Sequence, residues 1–340
     1  MSPFRPVLPF LAALALLLPP LAASADDIEV GLIGKALVGK DKPALVLKAN
    51  KAEKRAHAKL EGAGRTFHLR SDGIKAGRSV DLTFDAPKGT HRYSGTLTVE
   101  FVDGTGGEMP LSFDATVGGP PKLEVPYERL DLKASSLELA MDASAGKCEY
   151  EVLFDGKPDR TGVREFGGEA PGTWLRVGWQ PHGADDVVLR IGLTCFDRDG
   201  YYTKLELFPW KLAIPHEDVT FATGKAEIEP AEAPKLDRAL ADIDTAIRRY
   251  GRVIKVRLFV AGHTDTVGDH ESNRALSRAR AQAIAAYFRK HGVSVPILYA
   301  GFGEDRLAVS TPDETDERQN RRAEYTISVE EPIRTSWTKL

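Results

Sequence analysis

Asp265, Asn273 and Arg280 place a carboxylate, an amide and a guanidinium in one short stretch of chain. Asp265 sits in the run Val260-Ala261-Gly262-His263-Thr264-Asp265-Thr266-Val267-Gly268, and the other two lie just beyond it. Asn273, Ser277, Arg280 and Ile284 recur at i, i+4, i+7 and i+11, which is one face of a helix. A loop that leaves a buried strand and enters that helix lays Asp265 beside its first turns, so the three groups can converge on one small surface. A guanidinium binds a carboxylate through two parallel hydrogen bonds, and a carboxylate binds an ammonium. The ligand that satisfies both is a zwitterion with both groups on one carbon. The alternative is a surface Asp265–Arg280 salt bridge, worth only ~0–1 kcal/mol. Geometry alone leaves both readings open.

Other candidate chemistry is thinner. His263 and Asp265 would make two metal ligands, but a zinc site needs a third, and no further His or Cys clusters nearby. Asp197-Arg198-Asp199-Gly200 is a fragment of a calcium loop without the rest of the series, and reads as a hairpin turn. Gly301-Phe302-Gly303 lacks the third glycine of a dinucleotide loop. Ser277 has no general base beside it. Lys48, Lys51, Lys54 and Lys59 read as a solvated strand face. No catalytic residue, metal or cofactor is expected.

The elements around the run are α/β. Leu236, Leu240, Ile243 and Ile247 mark one face of a helix over 231–250, closed by Gly251. Strands are expected over 254–261, 295–300 and 322–329, with another near 219–221, and a second helix over 272–291. The order β-α-β-α-β-β predicts two helices packed on one sheet.

The chain before this is β-rich. Val80, Leu82 and Phe84, then Leu97, Val99 and Phe101, alternate with polar residues, the mark of half-buried strands. Gly118-Gly119-Pro120-Pro121 is the best internal boundary. A second strand-rich stretch comes next, with hairpin signals at Asp155-Gly156 and Asp199-Gly200. Each stretch is about 90 residues, a size that suits a β-sandwich. The expected fold class is therefore α+β multidomain: two β-sandwich-like (Ig-like) modules over 26–118 and 119–213, then an α/β sandwich over 214–340. Cys148, Trp174 and Cys195 stand in the immunoglobulin order, though Trp174 is far from the first cysteine for that pattern.

Met1–Ala25 reads as a cleavable export signal. Arg5 precedes an apolar stretch, Pro19-Pro20 breaks it, and Ala23-Ser24-Ala25 is a small-residue cleavage site. Export leads to an oxidising compartment, where Cys148 and Cys195 can pair; two buried thiols is the alternative. The full chain of 340 residues has 46 basic and 49 acidic side chains, a net charge of −3, so no global basic field draws it to nucleic acid.

Phe221-Ala222-Thr223-Gly224-Lys225, Gly262-His263-Thr264-Asp265, Gly268, Asn273, Leu276-Ser277-Arg278-Ala279-Arg280-Ala281, Gly301-Phe302-Gly303-Glu304 and Asn320-Arg321-Arg322-Ala323-Glu324 appear in order. Together they closely resemble the OmpA-like peptidoglycan-binding domain of outer-membrane anchors, peptidoglycan-associated lipoproteins and flagellar stator proteins. The resemblance covers roughly 215–330. It implies a non-catalytic domain that grips the diaminopimelate side chain of the peptidoglycan stem peptide, itself an amino-acid zwitterion. By that resemblance Asp265 takes the ammonium and Arg280 the carboxylate, Asn273 supports the contact, and Thr264 and Arg322 line the pocket. Leu307 and Ala323 depart from the family pattern, which often has proline at the first and an aliphatic residue at the second. The implied protein is periplasmic and cell-wall-associated, possible partners of its β modules being outer-membrane or envelope-complex proteins. Two alternatives remain. Residues 26–213 could form an outer-membrane barrel, although their frequent lysines and short strands argue against one. The chain could also be a wall hydrolase targeted by this domain, although no catalytic set is visible.

Overall fold

The computed structural model describes residues 27–222 and 224–340. The export signal expected at Met1–Ala25 lies outside the described residues. No helix among the described residues is long and apolar enough to cross a membrane.

Two sheets share the first β core. Ile28–Ile33, Ala44–Ala49 and Arg78–Thr83 form an antiparallel sheet with Ala44–Ala49 in the middle. The other sheet has the spatial order Lys35–Leu37, Gly106–Gly118, Gly89–Phe101, Glu53–Gly62, Arg65–Ser71. Leu45 and Leu47 of the first meet Leu60, Tyr93, Leu97 and Phe101 of the second in one buried cluster. Gly89–Phe101 and Gly106–Gly118 are 13 residues each, longer than the short strands expected. The turn at Asp103-Gly104 lets them pair without a break from Gly89↔Val117 to Glu100↔Gly106. The lysines lie on solvated faces: Lys48 pairs with Glu29 at 2.9 Å and Lys59 with Glu61 at 3.0 Å.

Two further sheets share the next core. Ser136–Met141 pairs with Leu123–Glu124, Leu130–Asp131 and Leu175–Gly178. Opposite lies a sheet in the order Arg160–Glu165, Ala145–Phe154, Val188–Asp197, Tyr202–Leu207. Cys148 faces Cys195 in register on the two central strands, and the pair is a buried disulfide with a Cα–Cα distance of 4.0 Å. The tryptophan packed in this cluster is Trp179, while Trp174 is 39% exposed. The Cys–Trp–Cys order in the sequence therefore points to the wrong indole. Trp174 immediately precedes the strand Leu175–Gly178 and is exposed, whereas Trp179 immediately follows it and is buried. No sheet among the described residues closes on itself. The barrel alternative fails on this point, because each sheet hides its apolar face against another sheet rather than turning it outward.

The two β units meet at a packed junction. Tyr201 donates to the Ala36 carbonyl at 2.7 Å, and a Cβ on Gly118 would lie 2.3 Å from its ring. Lys35 sits 4.2 Å from the ring centroid and donates to the Asp199 carbonyl.

The last sheet runs Lys211–Ala213, Ala323–Ser328, Arg257–Gly262, Ile297–Gly301, Thr338–Lys339. Arg257–Gly262 and Ile297–Gly301 are parallel. Helices α1 (Ala233–Tyr250) and α2 (His270–Lys290) cover one face. In α1, Leu236, Ala239, Ile243 and Ala246 are buried, the spacing of a helix stripe. The strand expected near 219–221 is irregular chain. The edge is taken instead by Lys211–Ala213, which pairs with Ser328, Ile327 and Thr326, so this sheet begins upstream of residue 214. On the other sheet face the terminal segment packs Ile333 and Trp337 against Ala261, Ala300 and Phe302.

The last two units share apolar contacts. Leu189 and Trp210 belong to the C-terminal core cluster, with Leu153 and Phe208 against it. Arg249 and Tyr250 both donate to Asp155, and Tyr127 donates to Glu330. These contacts sit at the end of the sheet where Arg257 pairs with Ser328, opposite the end where Gly262 pairs with Ala323.

Candidate functional site

The Arg257–Gly262 strand delivers the 263–269 loop, and close approach of α2 fixes its course. A Cβ on Gly262 would lie 2.3 Å from the Ser277 carbonyl oxygen, and one on Gly301 would lie 2.3 Å from the Arg278 nitrogen. Only glycine lets the helix backbone rest on both strands there. Asp269 caps α2 by accepting from the Ser272 N–H at 2.9 Å, which satisfies one of the free donors of the first turn. Hydrogen bonds from the Ser272 side chain first, and then from its backbone N–H, hold the Asp269 carboxyl below its ordinary range. Ser277 accepts from the Gly303 N–H at 2.9 Å and donates to the Arg274 carbonyl, so it is a packing hydroxyl.

Asn273 is buried and acts as a loop clamp. Its amide donates to the Val267 carbonyl at 3.1 Å and to Glu304 at 2.7 Å. A second loop leans on the first. Thr266 Oγ1 donates to the Pro312 carbonyl at 2.7 Å and accepts from the Thr315 N–H at 3.0 Å. Asn320, fully buried, both donates to and accepts from the Val309 backbone at 2.9 Å. This pins the chain immediately before Arg321.

Asp265 is 7% exposed. Arg321 donates to its Oδ2 and, through the same Nη1, to Asp316. The Val267 N–H reaches Oδ1 at 3.4 Å. Arg280 is half-buried. Its Nε donates to the Lys225 carbonyl at 3.0 Å, and its guanidinium lies 5.1 Å from the Phe221 ring centroid. Burial lowers the Arg280 pKa, Arg321 lowers it further, and Asp265 opposes the shift. The three charges are thus within electrostatic reach, yet no ion pair joins Asp265 to Arg280 among the described residues. The two acids raise the Arg321 pKa.

Thr264 is buried on the same loop. Its N–H donates to the Gly303 carbonyl at 2.9 Å, and its Oγ1 has no partner among the described residues. Arg322 goes elsewhere: it pairs with Glu324 at 2.7 Å and donates to the Arg306 carbonyl at 3.2 Å. It flanks His263, which is buried, stacks on Phe302 with centroids 5.3 Å apart, and is pushed down to about 4 by burial and by Arg322. Arg280 thus lies within electrostatic reach of Asp265 and Arg321, Asn273 holds the loop that carries Asp265, Thr264 is buried in that loop, and Arg322 contacts Glu324 and Arg306 instead.

The guanidinium that reaches Asp265 is Arg321, which stands in the motif Asn320-Arg321-Arg322-Ala323-Glu324 but is given no role by the sequence reading, which picks Arg322 instead. Strand parity is the signal that could find it. Ala323, Tyr325 and Ile327 face the helices, and continuing that alternation upstream of the strand into the bend at Arg321 would put Arg321 on that side and Arg322 on the other. No group of three or more metal-ligating side chains is found among the described residues.

Comparison with known proteins bears on this region. The sequence model of the OmpA family matches residues 220–321. The chain is 36% identical to Outer membrane protein P5 of Haemophilus influenzae over 90 residues, 26% of this chain and 24% of that protein. It is 41% identical to the peptidoglycan-associated lipoprotein of Legionella pneumophila over 70 residues, 20% of this chain and 40% of that one. It is also 32% identical over 126 residues, 35% of this chain, to photosystem I P700 chlorophyll a apoprotein A2 of Gloeobacter violaceus, covering 14% of that protein. The chain thus spans less than half the length of each of these curated relatives. What the comparisons show is therefore confined to residues 220–321, about a third of the chain, which match the OmpA family.

Proposed function

We propose that the C-terminal domain binds peptidoglycan without catalysis, gripping the diaminopimelate zwitterion of the stem peptide. Asp265 takes the ammonium and Arg280 the carboxylate. The observation that carries this reading is that a buried carboxylate and a half-buried guanidinium lie within electrostatic reach, taken here as one rim, without neutralising each other. Asn273 holds the loop, and Thr264 lines it. The OmpA family match over residues 220–321 and the name of the Legionella relative support the ligand class.

In this reading the protein is periplasmic and cell-wall-associated. The β units, read as Ig-like modules with the second ending before the Lys211–Ala213 strand of the last sheet, are spacers or docking domains for an envelope partner. They attach at the sheet end away from Asp265, and a six-residue strand spans about 20 Å. The wall-facing rim is therefore left free, as a tether requires. Single-site affinity is modest because desolvating charges offsets much of the gain, and repeated ligands in the wall supply avidity.

The test is pull-down by purified sacculi. Wild-type chain is retained, while Asp265→Ala and Arg280→Ala are lost although both stay folded by circular dichroism. Retention of both variants would sink the assignment.

A further inference from the structure

Arg321 donates to Asp265, the same carboxylate that the zwitterion's ammonium is proposed to take. We propose that Arg321 sets the specificity of this rim: it competes for Asp265 from within the protein and is handed to Asp316 when a zwitterion enters, so that an amine lacking a carboxylate is refused. This rests on the reading in which Asp265 takes the ammonium and Arg280 the carboxylate.

Three features support the exchange. One Nη1 of Arg321 contacts both acids, and their exposures differ sharply, with the Asp265 side chain 10% exposed and that of Asp316 77%. The guanidinium already touches its second acceptor and has only to release the first. The backbone is held by the Asn320 clamp, so the exchange is confined to the side chain. Finally, Asp265, Asp316, Arg280 and Arg321 sum to zero charge. A zwitterion preserves that balance, its carboxylate meeting Arg280, which Arg321 otherwise repels. A bare amine adds an uncompensated positive charge beside two guanidiniums. Between ligands, Arg321 keeps the buried Asp265 carboxylate compensated.

Three probes separate the contributions: meso-diaminopimelate; cadaverine, the same skeleton without carboxylates; and pimelate, the same skeleton without amines. Calorimetric titration of chain 26–340 should show wild-type preferring diaminopimelate to cadaverine. Arg321→Gln should narrow that preference about tenfold by strengthening cadaverine, the scale of one partly buried charge contact. Asp316→Asn, at an exposed position, should weaken diaminopimelate about fivefold, the scale of one exposed ion pair, and leave pimelate unchanged. An unchanged preference in both variants overturns this proposal and leaves the Asp265–Arg280 reading standing. Equal loss of all probes in Arg321→Gln also overturns it, by making Arg321 a scaffold or direct ligand contact. A wild-type chain that binds no diaminopimelate overturns both.

Discussion

Gly262 and Ser277 are in backbone contact: a Cβ on the glycine would stand 2.3 Å from the serine carbonyl oxygen. This contact seats α2 on the strand that delivers Asp265, and it is the reason the loop and Arg280 share a rim. Gly262→Ala must push the helix away. Forcing an atom into a packed site costs about 1–3 kcal/mol. Urea denaturation should show that loss, and sacculus binding should fall even under conditions where the variant is folded.

The disulfide ties the two central strands of the second β unit across 47 residues of sequence. Closing a loop of that length in the unfolded chain is worth about 4 kcal/mol in the chain-entropy account. Cys148→Ser with Cys195→Ser should lower the urea midpoint accordingly. Reductant should then have no further effect on the double variant but should destabilise wild-type.

His263 gives the domain a pH dependence with a definite sign. Burial, then Arg322 and Arg306, push its pKa down to about 4, with Glu324 opposing. The unfolded chain, with a pKa of about 6.5 for histidine, takes up the proton first. Stability is therefore full above about pH 6.5 and falls as pH drops towards 4, by roughly 3 kcal/mol across the window. His263→Phe should flatten that part of the profile in a melting series from pH 7.5 to 4.

The terminal segment closes the sheet face that the helices leave bare. Trp337 lies edge-on to Phe259 with centroids 5.0 Å apart, and Thr338–Lys339 covers the edge of Ile297–Gly301. Deleting 331–340 exposes Phe259, Phe302 and an unpaired strand edge, a template for association. Dye binding to apolar surface should rise, and light scattering should show association of the shortened chain.

Much of the C-terminal domain is legible in the sequence because both helices carry a stripe at helical spacing, and Gly251 stops α1. Asp269 caps α2 and starts it at His270, a local signal that the expected start at 272 does not use. The same periodicity puts Asn273 and Arg280 on one face of α2, while Asp265 comes from the loop before it and the ligand roles of the three come from the family resemblance. The rest depends on tertiary pairing. Val219 to Phe221 has strand-forming residues, but Lys211–Ala213 holds the edge they would need. Thr338–Lys339 is too short to show a period. Asp316 reaches the site from an irregular loop that Thr266 draws in, and no local pattern announces such a contact. Arg321 and Arg322 differ only in parity, so one residue of register separates the rim from the opposite sheet face.

The most direct test is an NMR titration of 15N-labelled chain 26–340 with meso-diaminopimelate, following backbone amides and the Arg280 Nε–H. Saturable shifts should concentrate on 264–268 and on Arg280, whose Nε–H also reports its bond to the Lys225 carbonyl. Asp265→Asn should abolish them. Shifts that settle on the β units, or an Arg280 signal that never moves at saturating ligand, would contradict a zwitterion held between Asp265 and Arg280.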